Sequence, residues 1–68
     1  MLTNCEKLQE MGILELAIIK LNISGQYENV INSLDSSKIT ESWIAWKLGD
    51  KRWWTYLKQF YNDLQNIK

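Results

Sequence analysis

The clearest hydrophobic pattern in the chain lies in its last quarter, where apolar residues recur every three or four positions. They are Trp53, Leu57, Phe60, Leu64 and Ile67. At about 100° per residue, such positions fall on one stripe of an α-helix. Tyr56 lies on one flank of the stripe, and Trp54 and Tyr61 lie on the other. The pattern predicts an amphipathic helix with an aromatic-rich apolar face.

The remaining pattern is also helical, with glycines and short polar segments as the boundaries. The absence of proline favours helix throughout. Thr3 and Glu6 have the spacing of a capping box, and Gly12 marks a position where the first helix kinks or breaks. Asp35 and Gly49 have the residue types of an N-cap and a C-terminal cap. The predicted fold is all-α, a single domain (residues 1–68) in a compact bundle of about four helices, approximately 3–22, 26–34, 38–48 and 51–67.

Residues 14–30 permit a second interpretation. Leu14, Leu16 and Ile18 alternate with Glu15 and Ala17. The same segment therefore permits a β-hairpin that turns at Ser24-Gly25. The helical remainder favours a helix here. Its apolar residues between Ile13 and Ile23 are distributed around the whole circumference, which is typical of a helix buried on all sides.

The predicted third helix has two apolar faces, which raises the question of what covers the second one. Ile39, Trp43 and Trp46 form one stripe, and Ile44 and Leu48 point nearly opposite. Either the chain buries both faces itself, or part of the surface closes a homodimer or binds another protein. Tryptophan, tyrosine and arginine are enriched in interfaces. The candidate partner-binding residues are therefore Trp54, Tyr61, Arg52, Lys58 and Lys51.

Composition limits the other ways of stabilising so small a chain. With 68 residues, one cysteine and no histidine, it cannot form an internal disulfide or a zinc site. A single cysteine, Cys5, indicates a reducing, cytoplasmic location, and the N-terminus lacks the basic region of a signal peptide. Charge is unevenly distributed. Residues 1–37 hold two basic and five acidic groups, a net charge of −3, and residues 38–68 hold six and three, a net charge of +3.

No set of residues indicates catalysis. Histidine, the commonest general base, is absent, and the three glycines form no phosphate-binding loop. We therefore expect a non-enzymatic protein with no catalytic residues, no metal, no cofactor and no small-molecule substrate. Cys5 is expected to be an inert thiol.

Nucleic acid is the alternative partner. Residues 46–58 interleave basic and aromatic side chains, and residues 41–49 resemble the first half of a helix-turn-helix, with Ala45 and Gly49 at the small positions and Ile44 and Leu48 packing inward. The resemblance covers about 20 residues. It implies apolar residues in the next helix where this chain has Thr55 and Lys58, and zero net charge argues against it.

A membrane-surface role is a third possibility, because Trp53 and Trp54 adjoin Lys51 and Arg52. The polar face of this helix is not rich in lysine, and no apolar run is long enough to span a bilayer.

The bias toward Asn, Ile and Lys indicates an AT-rich genome. Small helical proteins of this kind are common in phages and mobile elements, where they inhibit or adapt a host protein. We therefore predict a small protein-binding module of that type, with a helix-turn-helix-like regulator as the alternative.

Overall fold

Five short helices build the protein. The computed structural model describes residues 2–66, and its helices are α1 (Asn4–Glu10), α2 (Leu14–Lys20), α3 (Tyr27–Asn32), α4 (Ser36–Lys47) and α5 (Trp53–Asn66). No strand occurs within that range, so the all-α prediction is confirmed and residues 14–30 do not form a hairpin. None of these helices is both long and apolar enough to cross a membrane.

The predicted helix over residues 3–22 is divided into α1 and α2 at Gly12, the position at which the sequence indicated a kink or a break. Gly12 has a φ of +72°, in the left-handed region that L side chains avoid. Its N–H donates to the carbonyl of Gln9 at 3.0 Å, and the N–H of Ile13 donates to that of Leu8 at 3.1 Å. These are the two hydrogen bonds of a Schellman motif, which occupies the free carbonyls at a helix end. The chain therefore stops α1 and changes direction.

The same motif ends α2 and α4. At Asn22, whose φ is +53°, the N–H of Ile23 donates to the carbonyl of Ile18 at 3.1 Å. At Gly49, the N–H of Asp50 donates to the carbonyl of Ala45 at 2.9 Å, which confirms the predicted C-terminal cap.

Side-chain oxygens accept backbone hydrogen bonds at or just before the start of three of the helices. The capping box between Thr3 and Glu6 is confirmed, with each side chain accepting a hydrogen bond from the other's backbone N–H. Asp35 accepts from the N–H of Ser37 at 2.9 Å, so α4 begins two residues before the predicted position 38. Asp50 accepts from the N–H of Arg52 at 2.9 Å, and α5 begins at Trp53 instead of residue 51.

The core lies where α5 packs across α4 and where α1 contacts α3. Leu57 and Phe60 of the predicted stripe are buried, whereas Trp53 and Leu64 are half-buried at its ends. Ile67 lies outside the described residues. Buried polar side chains also connect elements. Asn4 donates to the carbonyls of Ile31 and Leu34 at 3.0 and 3.1 Å, and the Ser42 hydroxyl donates to the carbonyl of Trp53 at 2.8 Å.

The expectation that residues 13–23 form a helix buried on all sides is wrong. Ala17 is fully buried, but Ile19 on the same helix is 74% exposed. The physical reason is the break at Gly12, which leaves α2 only seven residues long and packed through one face. Part of the apolar surface that the sequence predicted to be buried in the core is therefore exposed to solvent.

Candidate functional site

The turn before α5 and the first turns of α5 carry four of the five predicted partner-binding residues at the surface. Lys51, Arg52, Trp54 and Lys58 are all exposed. Trp54 is 37% exposed, and its ring packs edge-on against that of Trp53 with the centroids 5.3 Å apart. An indole fixed by a neighbouring ring, with part of its surface open, is suited to contact another molecule.

Arg52 is occupied within its own turn. Its guanidinium donates to both carboxylate oxygens of Asp50, from Nη2 to Oδ2 at 2.8 Å and from Nε to Oδ2 at 3.1 Å and to Oδ1 at 3.2 Å. This pairing lowers the pKa of the Asp50 carboxyl and raises that of Arg52. Arg52 is therefore held in the turn that precedes α5, and Lys51 and Lys58 are the cations of this surface that have no ion pair among residues 2–66.

Tyr61 occupies a different place from the one predicted. The sequence put it on the outer flank of α5 beside Trp54, but its side chain is buried and only 5% exposed. The buried face of α5 is therefore centred further toward Tyr61 than the stripe of Leu57 and Phe60 indicated. Its hydroxyl has no hydrogen-bond partner among the described residues, and burial raises the pKa of Tyr61 to about 12.

A small crevice between α2 and α5 brings three of the five predicted residues together. Its volume is about 30 Å³. Its lining consists of Lys20, Trp54, Leu57, Lys58 and Tyr61. Lys20 was not among the candidates, because no pattern along the sequence shows that the end of α2 lies beside α5. Lys51 and Arg52 do not line this crevice.

A second surface, on the outer face of α4, is the larger apolar feature. Ile44 is 48% exposed and Leu48 is 79% exposed. Together with Tyr56 they border a groove of about 360 Å³, and Glu41 and Asp50 also line it. The sequence contained the signal for this surface, since Ile44 and Leu48 point away from the Trp43 stripe. They were not named as partner-binding candidates. We call this surface, comprising Glu41, Ile44, Leu48 and Tyr56, the α4 face.

The exposure of the α4 face removes the packing on which the helix-turn-helix resemblance depends. That resemblance requires Ile44 and Leu48 to be turned inward against the following helix. Both are open to solvent. Ser42 instead packs this part of α4 against α5. Its side chain is fully buried, and its hydroxyl donates a hydrogen bond to the carbonyl of Trp53.

Trp43 forms a polar cluster between α1 and α4 that we assign to stability. The ammonium of Lys7 lies 5.5 Å from its ring centroid and that of Lys47 lies 4.5 Å from it. The indole N–H donates to Glu10 at 3.0 Å, and Lys7 donates to the Thr40 hydroxyl at 2.9 Å. Cation–π contacts and hydrogen bonds thus stabilise the burial of Lys7 between the two helices.

Cys5 is buried on α1, and burial raises the pKa of its thiol, with the charges of Glu28 and Glu6 adding to the effect. A raised pKa disfavours the nucleophilic thiolate.

Comparison of the chain with protein-family models, with curated proteins and with solved structures finds no match. The functional argument therefore depends on the two surfaces described above.

Proposed function

We propose that this chain is a non-enzymatic protein-binding module, and that the α4 face is the surface through which it pairs with a second copy of itself. The observation that carries the proposal is the exposure of Leu48 and Ile44 beside an apolar groove. Adjacent exposed aliphatic side chains of this kind are typical of contact sites.

A second copy fits the charges around the α4 face. Glu41 lies one turn before Ile44, whereas at the Leu48 end Asp50 lines the groove with its carboxylate paired to Arg52, and the exposed Lys51 follows it. In an antiparallel, two-fold arrangement each Glu41 approaches the basic end of the other copy, so that every contact occurs twice. Like charges are kept apart in this orientation, and a parallel one would bring them together.

The expected affinity is low. Full burial of an Ile or Leu side chain contributes roughly 1.5–3 kcal/mol. Leu48 and Ile44 are 79% and 48% exposed, so the two copies together contribute about 4–8 kcal/mol against an association cost of about 4–15 kcal/mol. The favourable end of this balance, about 4 kcal/mol, corresponds to a reversible dimer with a Kd of about 1 mM.

Sedimentation equilibrium tests this pairing. The wild-type mass should rise from monomer toward dimer between about 10 µM and about 1 mM, and Leu48→Glu should remain a monomer. Ile19→Glu is the matched control, because it makes the same kind of change at an aliphatic residue that is 74% exposed on α2. A wild type that stays monomeric throughout, or an Ile19→Glu variant that is as impaired as Leu48→Glu, would contradict the proposal.

The composition supports a cytoplasmic setting and a host protein as the further target. The single cysteine fits a reducing compartment. The size and the Asn, Ile and Lys bias match small proteins of phages and mobile elements that inhibit or adapt host proteins. The α5 surface around Trp54, which the α4 face leaves free, is the surface that we assign to such a target.

A further inference from the structure

Within residues 2–66, α2 is the helix that polar side chains do not attach to its neighbours. Its two charged residues, Glu15 and Lys20, are exposed and take no part in the side-chain hydrogen bonds or ion pairs of that range. Its one buried residue is Ala17, which contributes a single methyl group. Apolar contact therefore holds α2 against the rest of the chain.

Each of the other helices has a polar attachment. Asn4 of α1 donates to two carbonyls near the end of α3, and the side-chain carbonyl of Asn32 on α3 accepts from the N–H of Cys5 at 3.0 Å. Lys7 connects α1 to α4, and the Ser42 hydroxyl connects α4 to the first residue of α5. These bonds join α1, α3, α4 and α5, which we call the frame, without the help of α2.

The C-terminal end of α2 lies along α5 over Tyr61. Lys20 lines the crevice that contains Leu57 and Tyr61, and it also lines a groove of about 430 Å³ that contains Leu64 on the following turn of α5. Tyr61 lies between the two along α5, and it belongs to the same buried cluster as Ala17. The end of α2 is therefore the part of the chain that covers this side of Tyr61.

The hydroxyl of Tyr61 makes the covered position costly. It is inaccessible to solvent and forms no hydrogen bond with any residue from 2 to 66. A buried hydroxyl without a partner raises the free energy of the state that buries it, and hydration of the hydroxyl removes that cost. Movement of α2 away from α5 would therefore recover part of the free energy that it loses in apolar contact.

Both ends of α2 are suited to such a movement. The helix lies between Gly12 and Asn22, whose φ values are +72° and +53°. Residues at the ends of an element are where a hinge absorbs its change in φ and ψ. A seven-residue helix is also too short to be stable in water by itself. When α2 leaves α5, it should therefore lose its own backbone hydrogen bonds.

We propose that α2 is a cover that opens as a unit, by local unfolding between Gly12 and Asn22, while the frame stays folded. Opening hydrates Tyr61 and adds its ring to the exposed part of α5 around Trp54. Cooperative opening of one weakly attached element, at a lower free energy than global unfolding, is a general property of native proteins. The aromatic surface of α5 thus has a closed form and a larger open form, whether or not the α4 face pairs two copies.

Native-state hydrogen exchange followed by NMR tests the proposal, with urea added in steps below the unfolding transition and the protein dilute enough to be monomeric. The amides of Ala17 and Leu21, which donate to the carbonyls of Ile13 and Ala17 at 2.9 Å, report on α2. After correction for intrinsic rates, they should exchange at least about tenfold faster than the slowest amides of α4. Their urea dependence should be weaker, because opening exposes less surface than global unfolding does.

Tyr61→Phe connects the opening to the buried hydroxyl. It removes the cost from the closed form, so the protection of the α2 amides should rise at least about fivefold. Protection of the α4 amides should rise with it, because global unfolding also exposes residue 61. Tyr56→Phe is the matched control, since Tyr56 is a half-buried tyrosine of α5 that lines the α4 groove, and it should leave the protection of α2 unchanged.

Three results would overturn the proposal. Exchange of the α2 amides with the rates and urea dependence of the slowest α4 amides would show that α2 unfolds only with the frame. Rapid exchange that Tyr61→Phe does not slow, or that Tyr56→Phe slows equally, would show that the opening does not involve the Tyr61 hydroxyl. Lower protection throughout Tyr61→Phe would show that the hydroxyl stabilises the closed form. Each result leaves the sedimentation test of the α4 face unaffected.

Discussion

The sign of the stability change caused by Gly12→Ala distinguishes the observed fold, in which α1 and α2 are separate, from a single helix over residues 3–22. An alanine Cβ at residue 12 meets no atom within 4 Å, so crowding does not contribute. The cost comes from the backbone, because an L-residue at a φ of +72° loses roughly 1–2 kcal/mol. If residues 3–22 formed one helix, the same change would stabilise the chain by up to about 1 kcal/mol.

Thermal unfolding followed by far-UV circular dichroism and tryptophan fluorescence measures this difference. For a chain of this size each 1 kcal/mol corresponds to about 4–8 °C in Tm, so Gly12→Ala should melt roughly 4–16 °C below wild type. Gly12→Asn is the matched control and should lose less, because Asn22 already adopts the same left-handed geometry at the end of α2. A Gly12→Ala variant more stable than wild type would refute the break between α1 and α2.

Three further predictions concern buried contacts and ionisable groups. Asn4→Ala should lower the free energy of unfolding by about 1–3 kcal/mol because two carbonyls near the end of α3 lose their donor, whereas Asn29→Ala, whose bond to Gln26 is exposed, should change it by less than about 0.5 kcal/mol. The folded-state pKa values of Glu6, Asp35 and Asp50 are lowered by hydrogen bonds near the helix starts. The stability that these carboxylates contribute should therefore be present above about pH 5 and lost as the pH falls toward about 3. Urea midpoints across that range measure the loss, and a constant midpoint would contradict it. Cys5 should react with a thiol reagent more than about a hundredfold more slowly in the folded chain than in urea, and comparable rates would show that it is accessible.

Local signals in the sequence were sufficient for most of the helix ends. Thr3 with Glu6, Asp35 and Gly49 act at short range through hydrogen bonds to the adjacent backbone, and each appears in the structure at the expected helix end. The predicted end at residue 22 also agrees with the structure, where Asn22 adopts the left-handed conformation just after α2.

The positions of the site residues depended on packing that the sequence does not show. Helical periodicity placed Trp54 and Tyr61 together on one flank of α5, but packing exposes the first and buries the second. Lys20 reaches the same crevice only because the break at Gly12 changes the direction of α2. Exposure of Ile44 and Leu48 likewise follows from how α5 crosses α4, which no spacing along the chain defines.

The role of α4 as an interface is tested most directly by intermolecular NOEs in a mixture of isotopically labelled and unlabelled protein. At a concentration where sedimentation shows the dimer, methyl groups of Ile44 and Leu48 should give NOEs to protons of the unlabelled copy, and methyl groups of Ile19 should give none. A dimer whose intermolecular NOEs avoid Ile44 and Leu48, or the complete absence of such NOEs, would contradict the account.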